Sequence, residues 1–232
     1  MMTKSLISLN GLGKSFPMAG SRFVALEDIN LSFGEGEFTG IVGPSGSGKT
    51  TMLNIIGSLD NPTKGEALVL GKSVGNLNAK ESARLRKQNI GFIFQSYNLL
   101  PFYTVYENVE FPLLLLKMSV AKRKKAVLEA IDAVGLTPKI DSKPKQLSGG
   151  ECQRVAIARA MVKKPSLVLA DEPTANLDAE NSHHILKTML KLNESMNTTF
   201  IFATHDEKVI QYLKRKISLE DGHVAKDETI KQ

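Results

Sequence analysis

The stretch Gly43, Pro44, Ser45, Gly46, Ser47, Gly48, Lys49, Thr50 restricts what this chain can become more than any other part of it. An apolar segment that reads as a strand, Glu37 to Val42, runs into it, and Thr51, Met52, Leu53, Asn54, Ile55, Ile56 read as the helix that leaves it. Glycine, four residues, glycine, lysine and a hydroxyl residue between a strand and a helix form a loop whose N–H groups turn inward around phosphate oxygens, at the positive end of the helix dipole. Lys49 would neutralise the β- and γ-phosphates of a nucleotide, and the Thr50 hydroxyl would bind Mg²⁺. A chance glycine turn does not account for Lys and Thr at both required places. A dinucleotide loop is excluded, because its third glycine would have to stand where Thr51 is.

The rest of the chain fits around that loop. Strand patterns run over Ser5 to Leu9, Ala25 to Phe33, residues 65–70 and residues 90–94. Leu113 to Val134 turns helical, with Ala126, Val127, Ala130, Ile131 and Val134 at three- and four-residue spacings, and a further helix is predicted from Gly149 to Met161. Leu167 to Ala170 and Thr199 to Ala203 read as buried strands separated by a helix from about Ala179 to Leu192, while Asp60, Asn61 and Pro62 end the first helix. Strands alternating with helices predict an α/β sheet, and the helical block from about 97 to 164 a subdomain inserted in it.

Two carboxylates end the strand at Leu167 to Ala170. Asp171 would hold Mg²⁺, and Glu172 is placed to orient or deprotonate an attacking water. A solvated turn before Pro173 is the ordinary alternative, which the presence of a phosphate loop in the same chain outweighs.

Leu147, Ser148, Gly149, Gly150, Glu151, followed by Gln153 and Arg154, add small residues at a helix N-terminus, a second end suited to an anion. With this segment the sequence resembles the ATP-binding-cassette (ABC) ATPases: it matches their Leu-Ser-Gly-Gly-Glu/Gln signature and sits 24 residues before Asp171. The resemblance implies an α/β fold with a P-loop NTPase core on a mostly parallel sheet, an N-terminal antiparallel β-subdomain and an inserted α-helical subdomain, all one nucleotide-binding domain over residues 1–232. It implies ATP and Mg²⁺ as ligands, with Gly43 through Thr51 and, across a dimer, Ser148, Gly149, Gly150 and Glu151 around the nucleotide. Gln95 resembles the family's glutamine loop, which reaches the metal and the attacking water; Asn176, Leu177 and Asp178 resemble its dimer-contact loop, and His205 its switch histidine at the γ-phosphate. Phe16 stands where the family usually has a tyrosine stacking on adenine, a role that needs only the ring; a core position is the other reading, and Phe23 a weaker candidate. Cys152 replaces a long polar residue, which leaves a reactive thiol open.

Gly57 to Glu66, Phe94 to Pro101 and Glu107 to Leu113 resemble the lipoprotein-release and macrolide-export branch, with a cell-division ATPase as the alternative. Only 27 residues follow His205, too few for the regulatory domain of sugar importers, and the 51 between Gln95 and Leu147 leave no room for the coiled coil of chromosome-maintenance ATPases. A single motif set excludes a tandem ribosome-associated cassette. The resemblance therefore implies one half of an ATP-bound homodimer attached to a separate transmembrane permease, docked beside Gln95 through Tyr97, Leu99, Leu100, Pro101 and Phe102.

Composition agrees with that assignment. With 42% hydrophobic residues the chain can build a core, yet its longest apolar runs are short, such as Leu113 to Leu116, against the roughly 20 residues of a membrane span. Met1 to Asn10 holds no apolar leader core, so a cytoplasmic protein, peripheral on the inner membrane, is expected. One cysteine excludes a disulfide scaffold and a Cys-type zinc site. The net charge of +6 sits in residues 117–164, with 12 basic against 4 acidic side chains. Its Lys122-Arg123-Lys124-Lys125 run reads as a solvated helix face or as a face toward anionic lipid, and no nucleic-acid partner is expected.

Overall fold

The structure is a computed structural model that describes residues 5–18 and 20–230; Met1 to Lys4, part of the expected leaderless start, lie outside them. β1 (Ile7–Met18) and β2 (Ser21–Phe33) form one long antiparallel hairpin, with Ile7 opposite Phe33 and Met18 opposite Ser21. The two strands read from the sequence are its inner halves. At the outer end Phe16, Met18, Phe23 and Val24 are all exposed, so no in–out alternation marks that part as strand. β3 (Phe38–Val42) runs into the glycine loop and α1 (Lys49–Ile56), and β4 (Lys64–Val69) with the short β5 (Lys72–Ser73) completes an antiparallel sheet of order β2-β1-β4-β5.

α2 (Ala79–Asn89) has no apolar stripe to betray it; it starts because Asn78 accepts from the N–H groups of Lys80 and Glu81 while Glu81 accepts from that of Asn78. β6 (Ile90–Phe94) follows. The helix expected from Leu113 to Val134 is two helices, α3 (Val105–Leu115) and α4 (Val120–Ala133). A capping box of Thr104 and Glu107 starts α3 well before Leu113, and Lys117 with φ of 55° breaks the run before α4. On α4, Lys122, Lys124 and Lys125 are exposed, whereas Arg123 turns inward to Glu110 at 2.6 Å.

α5 (Gly149–Met161), β7 (Leu167–Asp171), α6 (Ala179–Met196), β8 (Thr199–Thr204), the short α7 (Glu207–Ile210), β9 (Arg215–Glu220) and β10 (His223–Thr229) complete the chain. The main sheet has the order β10-β9-β3-β8-β7-β6, parallel throughout except for β10 at its edge. The fold is thus α/β, with a mostly parallel core sheet, an N-terminal antiparallel sheet and a helical segment inserted between β6 and β7. β9 and β10 join through Asp221 (φ 44°) and Gly222 (φ 80°), a positive-φ pair that suits the twist of a hairpin.

Layers cover both faces of the main sheet, which is why its central strands are unbroken apolar runs. One face packs with α1 and the antiparallel sheet through Ile41, Met52, Leu169, Ile201 and Ile29. The other packs with α3 to α6 through Phe38, Val168, Phe200, Phe202, Val155 and Ile185, each fully buried and worth roughly 1.5–3 kcal/mol for the larger side chains. The Phe38 ring lies 4.7 Å from that of Phe202 and 5.6 Å from that of Phe200. Gly91 lets α5 lie on β6, since a Cβ there would come 2.9 Å from the Ala160 carbonyl oxygen. Among the described residues no helix is long and apolar enough to cross a membrane.

Asn108, fully buried at the start of α3, fastens the loop between β6 and that helix. Its Oδ1 accepts from the Leu100 N–H at 2.8 Å, and its Nδ2 donates to the carbonyls of Leu100, Tyr103 and Thr104 at 3.2, 3.1 and 2.9 Å. Asn108→Ala should leave buried backbone groups unpaired and lower stability by about 1–3 kcal/mol. Urea unfolding would register it as a reduced midpoint, and an unchanged midpoint would contradict the role.

Candidate active site

Strand register assembles the site. Val42 pairs with Thr204, Ala203 with Asp171, and Asp171 with Phe94, so β3, β8, β7 and β6 all end at one level of the sheet. The residues that follow those ends are Gly43, His205, Glu172 and Gln95. Four segments far apart in sequence therefore open on the same edge, the edge at which parallel α/β sheets bind ligands.

The glycine loop owes its shape to close approaches. Gly48, the N-cap of α1, has φ of 101°, and a Cβ there would come 2.5 Å from the Ala25 carbonyl oxygen. At Gly43 a Cβ would come 2.1 Å from the Leu219 carbonyl oxygen, whereas Gly46, with φ of 84°, has open space beside it. From below, Gly222 donates its N–H to the Ser47 carbonyl at 3.2 Å and accepts from the Glu27 N–H at 2.9 Å. Pro44, Ser45 and Gly46 are exposed and Thr51 is half-buried on the first turn of α1. Lys49 is buried, its ammonium reaching back over the loop to the carbonyls of Gly43 and Pro44, each at 2.7 Å.

Thr50 Oγ1 donates to both carboxylate oxygens of Asp171, at 3.2 and 3.1 Å. Burial pushes the Asp171 carboxyl above its usual range, with the neighbouring Glu172 charge adding to that; the Thr50 hydrogen bond and the Lys49 cation oppose it. A hydroxyl and a carboxylate held side by side are hard oxygen donors of the kind Mg²⁺ takes from a protein when phosphates and water supply its other ligands, so these two residues fit the ion. Gln95 is exposed; its carbonyl accepts from Asn176 Nδ2 at 3.0 Å, and its side chain makes no hydrogen bond among the described residues.

Glu172 sits at φ of 45°, the left-handed region that a non-glycine residue enters at a cost. Its N–H donates to the Ala203 carbonyl at 2.9 Å, which anchors the turn to β8. Both carboxylate oxygens are engaged: Oε2 accepts from Thr204 Oγ1 at 3.0 Å, and Oε1 lies 2.7 Å from His205 Nδ1. Thr204 Oγ1 accepts in turn from the Asp206 N–H at 3.0 Å, and Asp206 Oδ2 accepts from Thr174 Oγ1 at 2.8 Å. Sequence reading missed Thr204, Thr174 and Asp206; a hydroxyl directly before His205 at a strand end was the available signal.

Ser148 caps α5 in a box with Glu151, accepting from the Glu151 N–H at 3.2 Å while Glu151 Oε2 accepts from the Ser148 N–H at 2.8 Å. That last bond, followed by the charge of Lys139, holds the Glu151 carboxyl below its usual range against the opposing effect of burial. The glycine pair is required by contact: a Cβ on Gly149 would come 3.0 Å from the Tyr97 hydroxyl, and one on Gly150 2.6 Å from Asn181 Oδ1. Asp178 caps α6 through the Asn181 N–H at 2.8 Å, which lowers its carboxyl pKa. Among the described residues no hydrogen bond or ion pair joins Leu147 to Glu151 with the glycine loop. Phe16 is 37% exposed and so is no core residue; the Lys14 ammonium lies 4.9 Å from its ring centroid and 2.6 Å from Asp60 Oδ1. Cys152 is buried, its thiol pushed up by that burial and facing the Pro144 carbonyl at 3.6 Å, the setting of a packing residue and not of a nucleophile.

Comparison with known proteins places this geometry among others. A family profile described as ABC transporter matches residues 26–175. The chain is 43% identical over 230 residues to the uncharacterized ABC transporter ATP-binding protein MJ0796 of Methanocaldococcus jannaschii, covering 97% of this chain and 98% of that one. It is similar to the dimeric structure of a post-hydrolysis state of the ATP-binding cassette MJ0796 bound to ADP and Pi, with a TM-score of 0.89, 42% identity, and 97% and 99% of the two chains covered. It is also similar to cbiO1 from Clostridium perfringens, part of the ABC transporter complex cbiONQ, with a TM-score of 0.87, 28% identity, and 97% and 88% covered.

Two glycines of the loop should respond differently to substitution. Gly46→Ala adds a methyl group to open space and should cost only the backbone penalty of positive φ, about 1 kcal/mol. Gly48→Ala adds the collision with the Ala25 carbonyl and should cost at least twice as much. Denaturation midpoints of the two variants side by side would decide it, and equal losses would refute the steric account.

Proposed function

This chain belongs to the ABC transporter family, and on that premise we propose that it is the ATP-hydrolysing subunit of a transporter of the lipoprotein-release or macrolide-export branch, working as a homodimer on a separate membrane permease. The observation that carries the reading is the single sheet edge on which the glycine loop, Asp171, Glu172 and His205 meet, while the signature segment stays without a bond to that loop. A second copy supplies what one chain leaves apart: ATP lies between the loop of one protomer and Ser148 to Glu151 of the other, with Asp178 near the seam. The branch is supported by the segments Gly57 to Glu66, Phe94 to Pro101 and Glu107 to Leu113. The permease holds the complex at the cytoplasmic face of the inner membrane, docking beside Gln95, where Phe102 is 82% exposed.

In this reading the Gly43 to Thr51 segment binds the phosphates, Lys49 turns its ammonium from the loop carbonyls to the β- and γ-phosphates, and Phe16 stacks on adenine. Thr50 and Asp171 would hold Mg²⁺, with Gln95 as a further ligand from the joint to the helical segment, residues 97–164. What the ion supplies when bound is neutralisation of phosphate charge. Glu172 takes the proton of the water that attacks the γ-phosphorus; the new P–O bond forms as the bond to the ADP oxygen breaks, giving ADP and phosphate. His205 positions the γ-phosphate, and Thr204 aims the Glu172 carboxylate.

Two experiments test it. Lys49→Ala removes the side-chain cation of the loop and should weaken Mg-ATP binding at least about tenfold by calorimetry; unchanged affinity with unchanged turnover would remove Lys49 from the site. Glu172→Gln keeps shape but loses the basic oxygen, so hydrolysis should fall by roughly 10²- to 10⁴-fold while ATP still binds. Sedimentation of that variant should show monomer without nucleotide and dimer with ATP, with the dimer lost on adding Ser148→Arg. Turnover at the parental rate, or a monomer saturated with ATP, would contradict the shared-site mechanism.

A further inference from the structure

A second cavity, of about 440 Å³, opens away from the sheet edge, between α2, β6, α3 and α5. Its floor is apolar, formed by Phe92, Phe94, Phe111 and Leu115, and the last two of these are 40% and 51% exposed. Its rim carries four cations: Arg86 and Lys87 from the last turn of α2, Arg159 from α5, and Lys163 just beyond it.

All four are bonded to main-chain carbonyls. Arg86 donates to Ser58, and Lys87 to Leu115 at 3.1 Å; Arg159 donates to Tyr97 at 2.7 Å and to Asn98; Lys163 donates to Arg86 and Lys87 at 2.7 and 3.1 Å. Among the described residues none of the four has an ion-pair partner, and the nearby acids are committed elsewhere, Glu110 to Arg123 and Asp60 to Lys14. A guanidinium has five N–H donors and an ammonium three, so these bonds leave donors over on every one of them. Burial without a counter-charge is costly, and it pulls the Lys163 ammonium down to about 8 and lowers Arg159 as well.

We propose that this groove receives a short amphipathic segment of the permease whose apolar side chains fill the Phe92–Phe111 floor and whose carboxylate pairs with Arg159 and Lys163. The inference rests on the permease-coupled reading above and adds the chemistry of the docking element. Charge complementarity selects the occupant: an apolar segment alone would bury four cations further, and an acidic one without an apolar face would leave the aromatic floor wet. The volume suits anchor side chains of such a segment, within the 300–1,000 Å³ or so of ligand pockets generally.

The probes are two synthetic helical peptides with the same leucine–phenylalanine face that differ only in one central residue, Glu or Gln, titrated into the full chain at pH 7. At low salt the Glu peptide should bind at least about tenfold more tightly, an advantage that about 0.5 M salt removes by screening. It should move the NMR signals of Phe94 and Phe111 and raise the midpoint of the Lys163 amine. Lys163→Met should abolish the advantage and Lys163→Arg keep it, a pair that separates lost charge from lost fold. Equal binding of both peptides in the groove would overturn the carboxylate while leaving permease docking intact. Binding of neither, or of phosphatidylserine vesicles instead, would overturn the groove as the docking place. Copurification of a membrane subunit with the intact chain tests the permease reading independently of either result.

Discussion

Hydrogen-bonding register in the parallel sheet is the constraint on which the rest of the molecule depends. A side chain at the end of one strand reaches the end of another only if the two strands stop together, and here Val42, Thr204, Asp171 and Phe94 stop at one level. A slip of one residue between β7 and β8 would turn Asp171 to the opposite face and part it from Thr50. The apolar packing of both faces is what forbids that slip, since Val168, Ala170, Phe200 and Phe202 on one side and Leu169, Ile201 and Ala203 on the other would all exchange environments. Hydrophobic burial and site geometry are in this sense one specification.

The chemistry at the edge is finished by short polar bridges, and they differ in kind. Thr50 with Asp171 brings two oxygen donors together from α1 and β7. Glu172 is held from both sides by Thr204 and His205, in a backbone conformation that the Glu172 to Ala203 main-chain bond keeps in place. A carboxylate so restrained has little freedom to wander before it meets water, which lowers the entropic cost of presenting it.

What the sequence made legible follows from where local signals are strong. The loop, α1, α5, β7 and β8 were readable because glycines, caps and buried apolar runs mark them without help from distant parts. α2 escaped because eleven mostly charged residues carry no stripe, although the Asn78 and Glu81 cap was there to be read. β9 and β10 escaped because their partner strand β3 lies some 175 residues earlier, and pairing at that distance leaves no local trace beyond Asp221-Gly222. Helix α3 was merged with α4 because Leu113 to Leu116 continues the apolar pattern across a break that Lys117 makes by its backbone angle. Within the site the individual motif residues were legible, whereas Thr174 and Asp206 depend on a contact between two turns that only the folded chain brings together. The cations of the groove were counted in the sequence as part of a basic segment; that they face one another across aromatic rings is a property of the packing of α2 against α5.

The bridge from Ser47 through Gly222 to Glu27 sets an order of events. Gly222 lies near the far end of the polypeptide, so during synthesis the glycine loop, though made early, waits for nearly the whole chain before its underside is buttressed. β3 likewise waits for β8 and β9 on either side. Nascent chains that have not yet released those residues carry the loop's sequence without its support. Competence to hold a nucleotide therefore arrives late and all at once, and a half-made protein does not sequester ATP on the ribosome.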